Sequence, residues 1–133
     1  MNLAQAIHQQ WAAAADLDDL LPASRFYTGL AIDGAMPYAT LSLATKRPAS
    51  RCHDGSAIAA PVATIRIVGP SYDAVAAIAE QLKRAFDGAD FALSGSDRVI
   101  DVRRCGESQT QDGDGVWQFV IEFDCTVYLE SGA

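Results

Sequence analysis

Residues 116–129 read VWQFVIEFDCTVYL, and their alternation decides the fold. Trp117, Phe119, Ile121, Phe123, Cys125, Val127 and Leu129 are apolar and share one parity. Gln118, Glu122, Asp124 and Thr126 occupy the other, together with Val120 and Tyr128. Side chains two apart in a strand line one face, so the stretch reads as a long strand with one buried side. A helix would scatter the same aromatics around its circumference. About 14 residues at ~3.3 Å each reach roughly 46 Å, whereas a compact chain of this size is roughly 36 Å across. The strand therefore twists, bulges or frays within the body, or it projects as a hairpin arm toward another subunit.

Upstream, residues 106–115, GESQTQDGDG, have the composition of a hairpin loop, and residues 98–105 supply the partner strand. Before them, Pro70 and Ser71 open a helix. Ser71 is a favourable N-cap, and Asp73 sits in the positive first turn. Tyr72, Val75, Ile78, Ala79, Leu82 and Phe86 form its apolar stripe, and Gly88 closes it. Residues 38–45 and 59–68 alternate as two further strands around a polar segment, residues 46–56, KRPASRCHDGS. Pro61 near the start of the second strand suggests an edge or a bulge. At the N-terminus, Leu3, Ile7 and Trp11 recur at helical spacing over residues 2–15. His8 lies off that stripe and reads as solvated; residues 16–21 read as a short second turn ended by Pro22. The expected fold is α+β: an antiparallel sheet with two helices packed on one face, in α-β-β-α-β-β order, as one domain over residues 1–133. Residues 25–27 leave room for an extra short strand.

Composition narrows the function. Half of the 133 residues are hydrophobic, enough for a single core. The formal net charge of −7 disfavours a general nucleic-acid binder, because phosphate binding wants a basic face. Three cysteines, Cys52, Cys105 and Cys125, have no short spacing and suit a reducing compartment. No apolar run approaches a membrane span, and the N-terminus lacks the basic start of a signal segment, so the chain is expected in the cytoplasm when made.

Candidate chemistry is sparse. Cys52, His53 and Asp54 are adjacent, and neighbours in an extended segment point apart, whereas a thiolate–imidazole pair usually comes from distant segments. The histidines and cysteines show no metal-ligand spacing, and no glycine-rich phosphate loop or nucleophile elbow occurs. No catalytic residue, cofactor or metal is expected. One cluster stands out: Lys46, Arg47 and Arg51 gather in one loop of an otherwise acidic chain. They form either a solvated hairpin tip or a contact for an acidic partner surface or for passing nucleic acid. Asp112 and Asp114 in the second loop sit in a polar stretch and read as solvating charge, or as an acidic patch that the basic loop of a neighbouring copy could face. Val120 and Tyr128 stand on a strand face where a lone domain would prefer charge.

Arg25-Phe26-Tyr27, a loop, and Met36-Pro37-Tyr38-Ala39 opening a strand resemble a signature of small bacteriophage tail-completion proteins. These are similar to the tail terminators of long-tailed phages. The resemblance continues through Ser71-Tyr72-Asp73 at the start of an alanine-rich helix and ends in the terminal hairpin, with Phe119–Tyr128 as its last strand. It covers roughly residues 3–129. It implies a non-enzymatic structural protein of a phage or prophage. Such a protein forms a ring of its own copies, often a hexamer, that caps the tail tube and joins it to the head. The implied partners are tail-tube and head-connector proteins, with DNA only as cargo passing through the ring and no membrane. The long segment 46–56 and the acidic segment 106–115 depart from the pattern. The alternative is a small cytosolic α+β ligand-binding or enzymatic domain unrelated to phage, whose mark would be converging His, Cys or carboxylates at strand ends.

Overall fold

The computed structural model describes residues 2–31, 34–45 and 49–130. Helix α1 (Leu3–Ala13) is followed at once by α2 (Ala15–Leu20) and a 3-10 turn, Ala23–Arg25. Five strands come next: β1 (Phe26–Thr28), β2 (Tyr38–Thr45), β3 (Ser50–Arg51), β4 (Ala57–Ala59) and β5 (Pro61–Gly69). Then α3 (Tyr72–Phe86) leads to β6 (Phe91–Ala92), β7 (Arg98–Gln111) and β8 (Trp117–Leu129).

All eight strands join one curled sheet. β8 lies at its centre, with β7 along one edge. Its other edge pairs with β5 and then β4 in one unbroken register: Val62 faces Asp124 and Ala59 faces Val127. β2 and β3 flank β5 and β4 in turn, antiparallel to them. β1 runs parallel to β2, with Phe26 opposite Ala39.

This architecture overturns the expected antiparallel sheet with a two-helix layer. The sheet is mixed, there are three α-helices, and the strand count is higher. Two physical reasons account for the error. Polarity marks solvent exposure rather than irregular backbone, so residues 106–111 form strand although both their faces are wet. For the same reason strand resumes at Ser50–Arg51 inside the segment expected to be a loop. And β1, allowed for as an extra short strand at residues 25–27, is too short for its sequence to say which strand it pairs with or in which direction.

The core follows the parity of β8. Phe119, Ile121, Phe123, Cys125 and Val127 are buried with Ala39, Leu41, Ala63, Ile65 and Ile67 of the neighbouring strands. Trp11, Leu17, Leu21, Val75, Leu82 and Phe86 close over them from the helices and their links. The Trp11 indole donates to the Leu21 carbonyl at 2.8 Å, and its ring stacks on Phe26. His8 is half-buried, less solvated than its off-stripe position suggested. Its Nε2 lies 2.8 Å from Thr28 Oγ1 and its ring tilts against Phe26, so it ties α1 to β1. Burial lowers its pKa. Asn2 and Gln5 form a reciprocal capping box on α1.

β8 neither frays nor leaves the body unpaired. It is hydrogen-bonded on both sides along nearly its whole length, and β7 accommodates the curl through register shifts at Val99/Asp101 and Arg104/Gly106. At the α3 end, Gly69 leaves room for the helix. A Cβ there would stand 2.5 Å from Val75 Cγ2.

Candidate assembly surfaces

Two long hairpins set the surface. The first runs down β2 and β3 and returns along β4 and β5; the second is β7 and β8. Gly69 pairs with Trp117 and Ala57 with Leu129, so the first hairpin turns at the end of the sheet where the second terminates. The two tips therefore point in opposite directions, about 40 Å apart by strand rise.

Both tips use the same turn. In residues 52–56 the Cys52 amide donates to the Ser56 carbonyl and the Gly55 amide to Cys52. In residues 112–116 the Asp112 amide donates to Val116 and the Gly115 amide to Asp112. Gly55 and Gly115 hold φ of +88° and +83°, the left-handed region that favours glycine. The Asp54 carboxylate accepts from Ser56 Oγ at 2.6 Å and from its amide at 3.0 Å. Those bonds hold its pKa below the usual carboxylate value. Asp54 is thus engaged with Ser56, and the Cys52-His53-Asp54 run is a turn. Asp112 accepts in the same manner from the amides of Asp114 and Val116, at 2.8 and 3.0 Å.

Of the basic cluster, Lys46 and Arg47 lie outside the described residues. Arg51 is exposed in β3, opposite Ala57 and beside the first tip. Asp112 and Asp114 are exposed at the second tip. One subunit therefore holds Arg51 and the acidic pair at opposite ends. Val120 and Tyr128 stand on the sheet face away from the core. Val120 sits between Arg66 and Ser108, and Tyr128 between Ile58 and Arg98; both are half-buried. Arg25 donates to the Ala35 carbonyl and so pins the segment that leads into the cis Met36–Pro37 peptide.

Exposed apolar groups complete the surface. Leu43 lies on β2 past the end of β1, and Leu30, 90% exposed, follows β1 on the same edge. Ile100 is exposed at the register shift on the opposite edge strand, β7. At the second-tip end, Tyr72 is 42% exposed; its ring meets Trp117 edge-on at 5.0 Å and Phe119 at 5.4 Å. Met36 is exposed at that end too. Sequence reasoning missed this corner because Tyr72 shares the helical period of the buried stripe. The available signal was its place in the first turn, where a stripe residue can overhang the sheet.

Among the described residues, no group of His, Cys, Asp and Glu is arranged to hold a metal ion, and no helix is long and apolar enough to cross a membrane. Cys52 and Cys105 are exposed and Cys125 is buried. Burial, aided by the nearby Asp124 charge, pushes the Cys125 thiol up to about 11. It is a small apolar core residue rather than a nucleophile.

The fold is similar to that of a chain titled "Virion of native gene transfer agent (GTA) particle", with a TM-score of 0.74 over 95% of this chain and 94% of that one. Sequence identity is 20%, so the likeness is one of fold. No curated protein matches the sequence. The family model of the tail completion protein gp17 matches residues 5–128, and the chain belongs to that family. It is a phage tail structural protein.

Proposed function

We propose that the protein is a non-enzymatic tail terminator. Copies of it close into a ring, six in the form the family resemblance implies, that caps the tail tube and joins tail to head. The observation that carries the reading is the family match over residues 5–128, which takes in both hairpin tips, α2, α3 and most of α1. The surface supports it. A ring is built from head-to-tail contacts, in which two different patches of one subunit meet on neighbouring copies. This chain has two unlike sheet edges, with Leu30 and Leu43 exposed on one and Ile100 on the other. It also has two unlike tips, one beside Arg51 and one bearing Asp112 and Asp114. Apolar contact through the edges and around Val120 and Tyr128 holds the subunits. The tip charges orient them, since exposed pairs contribute only about 0–1 kcal/mol each. Lys46 and Arg47 add to the basic side in sequence. The partners are further copies of the chain, the tail tube and the head connector, with DNA passing through as cargo. Assembly takes place in the cytoplasm of the bacterial host, from a phage or prophage gene.

The test is assembly with Lys46→Glu, Arg47→Glu and Arg51→Glu combined. The expected result is heads and tails that accumulate unjoined, or tails of abnormal length, in electron micrographs. Normal joined particles would assign the basic segment to a solvated tip with no part in assembly.

A further inference from the structure

We propose that Arg51 of one copy seats on the Tyr72–Trp117 aromatic pair of the next copy, within the ring read above. The argument starts from the cations. Arg25, Lys83, Arg84, Arg98, Arg103 and Arg104 each make an ion pair or a hydrogen bond inside the chain. Among the described residues, Arg51 and Arg66 are the cations left with neither. Arg66 is flanked by Thr40 and Val120 in the middle of the outer sheet face, where a neighbour's protruding corner has no access to it without covering the whole face. Arg51 stands at the end of a hairpin, one residue before the turn, and can be presented to a neighbour.

The second half of the contact is the corner at the other end of the sheet. Tyr72 and Trp117 meet edge-on, which leaves Tyr72 42% exposed, and Met36 is 41% exposed at the same end. Three exposed carboxylates surround the pair in sequence: Asp73 follows Tyr72, and Asp112 and Asp114 form the turn leading into Trp117. An arginine is the group such a corner favours. Its guanidinium stacks on an aromatic face while its N–H groups reach carboxylates. Tyr, Trp, Met and Arg are also the residues enriched at interface centres. Within one copy, Arg51 and Tyr72 are separated by the strand length between Ala57 and Gly69, about 40 Å. The contact must therefore be between copies, and it is heterologous, as a ring requires.

Native Cys52, exposed and next to Arg51, makes the contact testable. Particles assembled with Gly113→Cys, an open position in the turn beside the aromatic pair, are oxidised with diamide and run without reductant. The expected result is a ladder of this chain linked through Cys52, lost on adding Cys52→Ser and kept on adding Cys105→Ser. Joined particles with a ring visible at the neck but no ladder would overturn the seat and leave the ring reading standing. A ladder that needs Cys105 instead would also overturn it, by placing the β7 edge at the corner. Wild-type particles with no ring at the neck would overturn the ring reading itself. A charge exchange supplies an independent arm. Arg51→Glu should cause loss of joined particles, and Asp114→Arg in the same chain, which leaves the turn bonds of Asp112 intact, should restore them. Undiminished joining by Arg51→Glu, or no restoration by the exchange, overturns the proposal.

Discussion

The two hairpins close with the same turn, and sequence marks both tips but not how far the strands run toward them. Residues 112–116 carry Asp112, Gly113, Asp114 and Gly115, a strong turn signal, and the strands that meet there are paired up to Gln111 and Trp117. Residues 52–56 reach an equivalent set of hydrogen bonds with Cys52, His53, Asp54 and Gly55. The common element is one glycine with positive φ, four residues into each turn; the aspartate differs, Asp54 accepting from one amide and one hydroxyl and Asp112 from two amides. The rest of each tip is free to vary, and it varies in charge. Turn geometry needs few residues, so the chain can present different chemistry at its two ends without altering the backbone that holds it.

The largest effect should come from β8, the strand of the second hairpin against which the first hairpin pairs. Phe123→Ala, at 1% exposure, should cost about 3–5 kcal/mol in chemical denaturation, and Phe119→Ala about the same. Glu122→Ala and Gln118→Ala, on the opposite parity and half-buried, should each stay within about 0.5 kcal/mol. Equal losses on the two parities would show that both faces of β8 are covered in the isolated chain.

A smaller effect tests whether the two turns are energetically alike. Gly55→Ala and Gly115→Ala each force a side chain into the left-handed region, at a cost of about 1–2 kcal/mol. Neither introduces a clash with a packed neighbour, since the space beside Gly55 is open and the group beside Gly115 is the Gln111 side-chain amide at 3.8 Å. The two losses should agree. A clearly smaller loss at Gly55 would mean that the first tip adopts another turn at little cost.

Thiol chemistry separates strand interior from hairpin surface. Iodoacetamide on the native protein should modify Cys52 and Cys105 and spare Cys125 until the chain is denatured, as read by mass spectrometry. Rapid native labelling of Cys125 would break the assignment of β8 as the closed centre of the sheet.

The smallest effect is in pH. Asp54 has a depressed folded pKa, so the order it gives the first tip is present above its unfolded value and lost as pH falls through the folded value. The Ser56 amide signal should therefore move on acidification below about pH 4, and that movement should vanish in Asp54→Asn. A Ser56 signal that is flat in the wild-type chain would show that the side-chain bonds do not order the tip.

Several elements were settled by sequence alone because local physics dictates them. The parity of residues 117–129 fixes which face of β8 is buried, since period 2 admits no other arrangement of those aromatics. Ser71, Asp73 and the stripe from Val75 to Phe86 fix α3, since capping and periodicity act within a few residues. Tertiary structure alone decided the rest. Whether residues 106–111 are strand depends on an edge offered by β8, which their own polarity does not report. The parallel pairing of three-residue β1 depends on where the N-terminal helices release the chain. His8 is placed by Phe26 and Thr28, far from it in sequence. The exposed Tyr72–Trp117 corner exists because α3 begins past the end of the sheet that buries the rest of its stripe, and burial is set by what lies opposite a residue rather than by its own spacing.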